Sequence, residues 1–329
     1  MQLIVYRDIP NPLISPEEAW ASQNDLERLL HQRPRRKRDR VYPYNDKYGF
    51  GTCIRRYAGL GETNTVHGIL PHGILPYGNP KQPAVAPKQE LLQHIPCIFA
   101  SNKRCRDAFW NAGKRFIFPI GLSSNYALES LQERPINQIG SIFFRSHSTP
   151  AFTDEIDDFN TIRWLISLPK RYHPIRISVF PNDWKRGAYK AYAEANFQLI
   201  SAGNPYDPAF IWRHFHLIQA HRYALSTGMG THIFNATICG KPVLINPTYH
   251  KYIAHKSGFS EYLAAKQSFQ KLCANYFKAN EQPTEKQRNI AEHYLGKIYT
   301  LPPQDLRKIL ELTEILHQSK SPEKRSRLG

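Results

Sequence analysis

The chain has 329 residues, 41% of them hydrophobic and 12% aromatic, which is apolar material enough for a sizeable core and length enough for two domains. Its formal charge of +17 favours an anionic partner, whether nucleotide, nucleic acid or membrane surface. No apolar run approaches the ~20 residues a membrane helix needs, and the five cysteines (Cys53, Cys97, Cys105, Cys239, Cys273) include no C-x-x-C pair and read as reduced thiols rather than a disulfide framework.

The opening MQLIVYRDIPNP carries an acid and two prolines where a secretory leader would continue its apolar core, so the expectation is a cytoplasmic, non-spanning protein. A helix is expected from about Pro16 to His31, followed by the basic run Arg33, Arg35, Arg36, Lys37, Arg38 and Arg40. Next comes a Gly/Pro-rich stretch from Gly59 to Pro87. It contains His67-Gly-Ile-Leu-Pro and then His72-Gly-Ile-Leu-Pro, a duplication too short to mark a repeat architecture. Ile95 to Ala100 reads as a strand, Lys103 to Ala112 as a helix and Phe116 to Ile120 as a strand. Residues 1–139 therefore read as a first, looser α/β domain, with a hinge near Glu133 to Ile139 where Pro135 and Gly140 interrupt the pattern.

From Gly140 the pattern becomes regular. Gly140 to His147 reads as a strand, Asp154 to Leu168 as a helix, Pro174 to Phe180 as a strand and Trp184 to Asn196 as a helix. Phe197 to Ala202, Pro208 to Ala220, Tyr223 to Ser226, Thr231 to Cys239 and Pro242 to Ile245 continue the alternation, ending on a fifth strand. Such alternation implies right-handed crossovers and a doubly wound parallel sheet, placed here in a domain of residues 140–300. Helices are expected over Phe259 to Lys278, Glu285 to Gly296 and Pro303 to His317, the last belonging to a 301–329 segment that ends in the basic tail Lys320 to Arg327.

Ligands of open parallel sheets bind beyond the carboxyl ends of the strands, so the loops there are the candidate site. They are 146–153, Pro181-Asn182-Asp183-Trp184, Gly203-Asn204-Pro205-Tyr206-Asp207, Ser226-Thr227-Gly228-Met229-Gly230 and 246–250. The turn from Ser226 to Thr231 is the most suggestive: glycines permit close backbone approach, hydroxyls donate, and the N–H groups of a helix start favour phosphate. An ordinary strand–helix turn with Ser/Thr capping would look the same. The turn is neither G-x-G-x-x-G nor a P-loop, since no Lys-Ser/Thr pair follows the glycines.

The segment Tyr223 to Ile245, YALSTGMGTHIFNATICGKPVLI, resembles the donor-phosphate region of GT-B glycosyltransferases, where a Ser/Thr-Gly turn opens a helix that ends in Gly-Lys-Pro-Val before the next strand. The preceding βα units from Gly140 resemble the rest of that domain. The resemblance implies two Rossmann-like domains with the active site between them, a nucleotide-sugar as co-substrate, and transfer of its sugar to a hydroxyl on a glycan, surface polysaccharide or lipid-linked acceptor. Many such enzymes hold the ribose with a Glu-Ala pair midway along the helix. This sequence has Asn235-Ala236, an uncharged pair, so UDP-, GDP- and CMP-sugars are all admissible donors.

The expected donor contacts are Arg145, His147, Asn182, Gly203, Asn204, Ser226, Thr227, Gly228, Met229, Gly230, Thr231 and Asn235. The acid–base candidates are Asp154 and Glu155, read as a helix start, with His67 and His72 from the first domain. His173-Pro174 superficially resembles the His-Pro motif of bacterial sialyltransferases, but its acidic companion is missing and it precedes a strand, so His173 is expected to be structural. No cofactor or metal is expected: there is no Asp-x-Asp pair of the metal-dependent type, and His214-x-His216 inside a helix points its rings apart. The run 33–40 is expected to hold the enzyme peripherally at the anionic inner face of a membrane. The alternative, a nucleic-acid-binding protein, is permitted by the charge and 18 tyrosines. It requires cations interleaved with aromatics, which Arg33 to Tyr44 does not provide, so no nucleic-acid partner is expected.

Overall fold

The computed structural model describes residues 23–31, 39, 41–61, 65–74, 83–91, 94–131, 137–148, 152–246, 250–255, 263–264, 266–269, 271, 276–277 and 281–319. The expected membrane contacts Arg33, Arg35, Arg36, Lys37, Arg38 and Arg40 lie outside the described residues, as does the tail from Lys320.

The first half holds helix α1 (Gln23–His31), a 3-10 segment (Pro43–Gly49), α2 (Phe50–Tyr57), the short α3 (Lys88–Leu91), β1 (Cys97–Ala100), α4 (Lys103–Asn111), β2 (Phe116–Pro119) and α5 (Ser123–Glu129). β1 and β2 pair in parallel, Cys97 opposite Phe116, with α4 as their crossover, and Ile69 adds a parallel bridge to Ile98. This half is α/β in character.

The second half carries a five-stranded, wholly parallel sheet of β3 (Ile139–Phe144), β5 (Ile175–Ser178), β6 (Gln198–Ile200), β7 (His221–Ser226) and β8 (Val243–Ile245). Its spatial order is β6-β5-β3-β7-β8, the doubly wound Rossmann order, in which the chain reverses direction of travel between β3 and β7. All five strands run the same way, so the loops after residues 146, 180, 202, 226 and 245 share one edge, as the alternation predicts. β3 sits at the centre and alternates its apolar side chains between the two faces. Ile142 and Phe144 join one core and Phe143 the other.

The first of these cores spans both halves. It contains Phe50, Ile54, Leu70, Phe99 and Tyr126 together with Phe144, Phe215, Ile233 and Phe234, and it reaches Leu306 and Leu310 near the end of the chain. Each such fully buried side chain contributes about 1.5–3 kcal/mol. The second core takes Leu26 and Leu30 of α1 against Tyr192 and Ile177. Helix α1 thus serves the far sheet although it opens the chain.

Two expected elements differ. Asp154 to Leu168 is not one helix: β4 (Phe152–Ile156) pairs antiparallel with β9 (His250–Ala254), and helix α6 runs Asp158–Ser167 behind an N-cap at Asp157, whose carboxylate accepts the Asn160 N–H at 3.0 Å. Trp184 to Asn196 splits into α7 (Pro181–Lys185) and α8 (Lys190–Glu194), because Gly187 turns the chain at φ +73°. The remaining helices are α9 (Phe210–Gln219) and α10 (Thr231–Ile238), followed by α11 (Glu285–Leu295), packed on α10, and α12 (Pro303–Ser319), which returns to lie on α2 and β1. Between 263 and 271 the described residues are helical.

Candidate functional site

The two loops that leave β3 and β7 meet at the point where the strand order reverses. The Ser146 N–H donates to Thr227 Oγ1 at 3.2 Å, and the Ser226 hydroxyl lies 2.8 Å from the Phe144 carbonyl and 2.9 Å from that of Gly228. These hydroxyls, expected to meet a ligand, instead clamp the two strand ends together. Met229 is buried in the shared core. What the turn leaves for a ligand is its helix start: Gly230 gives α10 no side-chain cap, so the first N–H groups are not satisfied by one.

Loops of the first half close over this helix start. The Ile74 N–H donates to Thr231 Oγ1 at 3.0 Å, which brings His72 to the seam between the halves. Lys47 reaches the same seam because Tyr48 and Gly49 both adopt left-handed backbone, φ +62° and +74°. A side chain at Gly49 would sit 2.3 Å from the Pro208 carbonyl oxygen, so only glycine allows the two halves to approach this closely.

The seam gathers imidazoles and ammonium groups. His147 stacks on Phe180 with ring centroids 4.1 Å apart, and His232 lies 5.0 Å from the Phe144 ring, with its Nε2 3.1 Å from Ser226 Oγ. His214 completes the row, 5.5 Å from Phe144. Burial pushes His147 down to about 3, helped by Lys266, then Lys47. His232 also falls to about 3, through burial, then His214, His147 and Lys266, and His72 does so through burial and then Lys47. All three rings are therefore neutral at physiological pH. The ammonium groups of Lys47 and Lys266 are lowered by burial in turn, the latter held up in part by Asp154. The Nδ1 of His72 and the Oδ1 of Asn235 are buried without a hydrogen-bond partner. Asn235 stands one turn beyond Thr231 on the same side of α10. Orphaned buried polar atoms cost about 1–3 kcal/mol each, a cost a ligand could relieve.

Several expected site residues are engaged elsewhere. The Arg145 guanidinium makes a two-pronged bond to Asp158, 2.8 and 3.0 Å, donates to the Ser146 carbonyl at 3.1 Å and lies 3.8 Å from Asp183, so its charge is already answered by protein carboxylates. Gly203 abuts Leu29, the Asn204 N–H donates to the Leu29 carbonyl at 3.2 Å, and Asn204 Oδ1 accepts from Tyr206 N–H. That loop is tied to α1. Asn182 lies half-buried in the first turn of α7, where its neighbour Asp183 is the residue that reaches the edge, accepting the Ser148 N–H at 3.0 Å.

Of the acid–base candidates, Asp154 and His72 reach the seam. Asp154 stands on β4 rather than at a helix start. Its carboxylate accepts the Ser146 hydroxyl and its N–H donates to Ser148 Oγ at 3.1 Å. Glu155, next along the strand, is exposed on the opposite face. His67 faces α12, its ring 5.1 Å from that of His317. Lys47, Lys266, His214 and His232 were missed by the sequence reading. Only the cluster Asn45-Asp46-Lys47-Tyr48-Gly49, a turn-forming composition, hinted that something bends there. A shallow hollow of about 510 Å³ lies apart from this edge, along α11 between Glu285 and Tyr294. Among the described residues no group of three or more His, Cys, Asp or Glu side chains has metal-holding geometry, and no helix is long and apolar enough to cross a membrane.

Neither a protein-family model nor a curated protein sequence matches the chain. Among solved structures it is similar to the wall teichoic acid polymerase TagF, at 12% identity over 79% of this chain and 70% of that chain, with a TM-score of 0.38. It is also similar to a Listeria monocytogenes protein described as a UDP-N-acetylglucosamine 2-epimerase, at 13% identity over 78% and 64% of the two chains, with a TM-score of 0.37. At such identity the chemistry rests on the residues of this chain.

Proposed function

We propose that the protein is a sugar-nucleotide-dependent glycosyltransferase of GT-B type, moving a sugar from a nucleotide donor to a hydroxyl on a glycan or surface polysaccharide. The observation that carries this reading is the convergence of Lys47, Lys266, His147 and His232 on the uncapped start of α10, at the strand-order reversal of a Rossmann-type sheet. A phosphate placed there would meet two ammonium groups, imidazole N–H donors and the positive end of the helix dipole. Asn235 would offer its unpaired Oδ1 to a ribose hydroxyl. Asp154, the other acid–base candidate at the seam, would accept the acceptor hydroxyl's proton as the new glycosidic bond forms and the donor's sugar–phosphate bond breaks. The leaving nucleotide's charge would then rest on the two lysines.

The peripheral membrane attachment through residues 33–40 and the cytoplasmic location belong to this proposal, supported by the basic run alone. The cations gathered at this seam are half-buried rather than laid along an exposed face, so they do not favour the nucleic-acid reading.

The test is calorimetric titration of UDP, GDP and CMP into the folded protein. One of them should bind in the micromolar range or tighter, and Lys47→Ala should weaken it. A folded protein that binds none of the three, at concentrations to several millimolar, would sink the proposal.

A further inference from the structure

We infer that anion binding at the seam is proton-linked: the entering phosphates recruit protons from solvent onto His72, His147 and His232, so that the site binds its ligand more tightly as the pH falls. This rests on the glycosyltransferase reading, since it concerns the same site.

The geometry places three imidazoles around one helix start with little negative charge to hold a proton on any of them. His147 is faced by Phe180, by Lys266 and Lys47, by Arg145 and by the single carboxylate of Asp154. Arg145 is itself paired with Asp158. His232 is faced by Phe144, His214, the Ser226 hydroxyl, the Gly228 carbonyl, His147 and Lys266. His72 is faced by the Tyr44 ring and by Lys47. Among the described neighbours named here, Asp154 is the one carboxylate. In the free protein burial first, and these cations second, keep the rings neutral, near 3 where water would put them at 6.5.

A sugar nucleotide with a pyrophosphate brings two negative charges that do not titrate between pH 5.5 and 8. One opposite charge at 4–6 Å raises the pKa of a buried group by about 1–3 units. Two such charges would raise a ring that faces both by about 2–6 units, a range that carries its pKa through pH 6–7. The proton passes from solvent or buffer to the ring nitrogen, and no bond of the ligand changes.

UDP-glucose and GDP-mannose serve as probes because their phosphates hold constant charge across the range. Titration at pH 6.5 in buffers of low and high ionisation enthalpy should give binding heats that differ, reporting uptake of one proton or more. The dissociation constant should tighten up to about tenfold per pH unit, per linked proton, between pH 8 and 6. His72→Asn, His147→Asn and His232→Asn, each checked for a native melting transition, should reduce the uptake. The wild-type measurements decide the matter even if a variant fails to fold. Binding whose heat is the same in every buffer and whose affinity is flat from pH 8 to 6 would overturn proton linkage and leave the transferase reading standing. Absence of binding by both probes and by UDP, GDP and CMP alike would overturn both.

Discussion

Histidine stands at both edges of the five-stranded sheet, and the two edges use it differently. At the edge where the strands begin, His173 sets its Nε2 3.1 Å from the Leu168 carbonyl and His221 its Nδ1 2.7 Å from that of Leu217. Each ties a helix end to the strand that follows it. At the edge where the strands end, His147 and His232 crowd together with Lys266, and His72 arrives from the other half with Lys47. There the rings meet two lysines at a helix start, whereas His221, lowered to about 4 by burial with Arg176 and Lys241 beside it, spends its Nδ1 on the Leu217 carbonyl. Residue type therefore says little by itself. Strand direction and the neighbours decide whether an imidazole is mortar or equipment.

The crowding should make the protein acid-labile, and this is the largest effect expected. His72, His147 and His232 are held near 3, and His214 and His221 near 4, against 6.5 in the unfolded chain, in each case chiefly by burial. The folded values lie below the unfolded ones, so below pH 6.5 the unfolded chain binds more protons. The stability is complete above pH 6.5 and is lost as the pH falls toward 4, at about 1.4 kcal/mol per pH unit for each ring that must charge on unfolding. Urea melts at pH 7, 6 and 5 should show the midpoint falling steeply. A midpoint unchanged at pH 5 would mean the rings are not held neutral in the folded protein.

Arg145→Ala comes next. Although Arg145 stands at the edge where the strands end, its bonds to Asp158 make it structural, so its loss should cost about 3–5 kcal/mol by stranding a partly buried carboxylate. Lys47→Ala should do the reverse, leaving the melting temperature nearly unchanged while weakening nucleotide binding ten- to a hundredfold, the loss of about 1.5–3 kcal/mol from a charged hydrogen bond. If Arg145→Ala melts as the parent does and loses nucleotide instead, the two cations have exchanged roles and the site is drawn wrongly.

Gly230→Val sharpens the same point. The backbone there is extended, φ −169°, which valine accepts, but a Cβ would lie 2.8 Å from the His232 ring. The expected consequence is displacement of His232 and roughly tenfold weaker nucleotide binding, with the fold intact by circular dichroism. Undiminished affinity in the folded variant would remove His232 from the site.

The sheet was legible in the sequence because its signals are local: apolar strands of few residues, helices of two to three turns, and glycines between them. The edge on which the proposed site lies followed from strand direction alone. β4 was not legible, since its partner β9 lies about a hundred residues away and the acids of Asp154-Glu155-Ile156-Asp157-Asp158 do mark a helix start, three residues later than the first of them. Lys47 and Lys266 were not legible either. Nothing in their neighbourhoods along the chain records that tertiary packing will set both beside His147. Ser226 and Thr227 were found for the wrong reason: hydroxyls in a glycine turn suggested ligand contacts, whereas they join β7 to β3.

His173→Ala is the smallest change expected and the control for the comparison. His173 is a half-buried histidine beside a proline, as conspicuous in the sequence as His72 beside its glycine. It faces the strand-beginning edge, where its ring's one described hydrogen bond is to the Leu168 carbonyl. Removing the ring forfeits one neutral hydrogen bond, about 0.5–1.5 kcal/mol, and should shift the melting temperature by a few degrees at most. Nucleotide affinity should be unchanged, because the length of β5 separates this residue from the strand ends, and with it the proton uptake that accompanies binding. The informative measurement is calorimetry on His173→Ala and His72→Ala side by side at pH 6.5. Equal losses of nucleotide affinity in both would show that the ligand does not distinguish the two edges, and the assignment of the site to the strand ends would fall with that result.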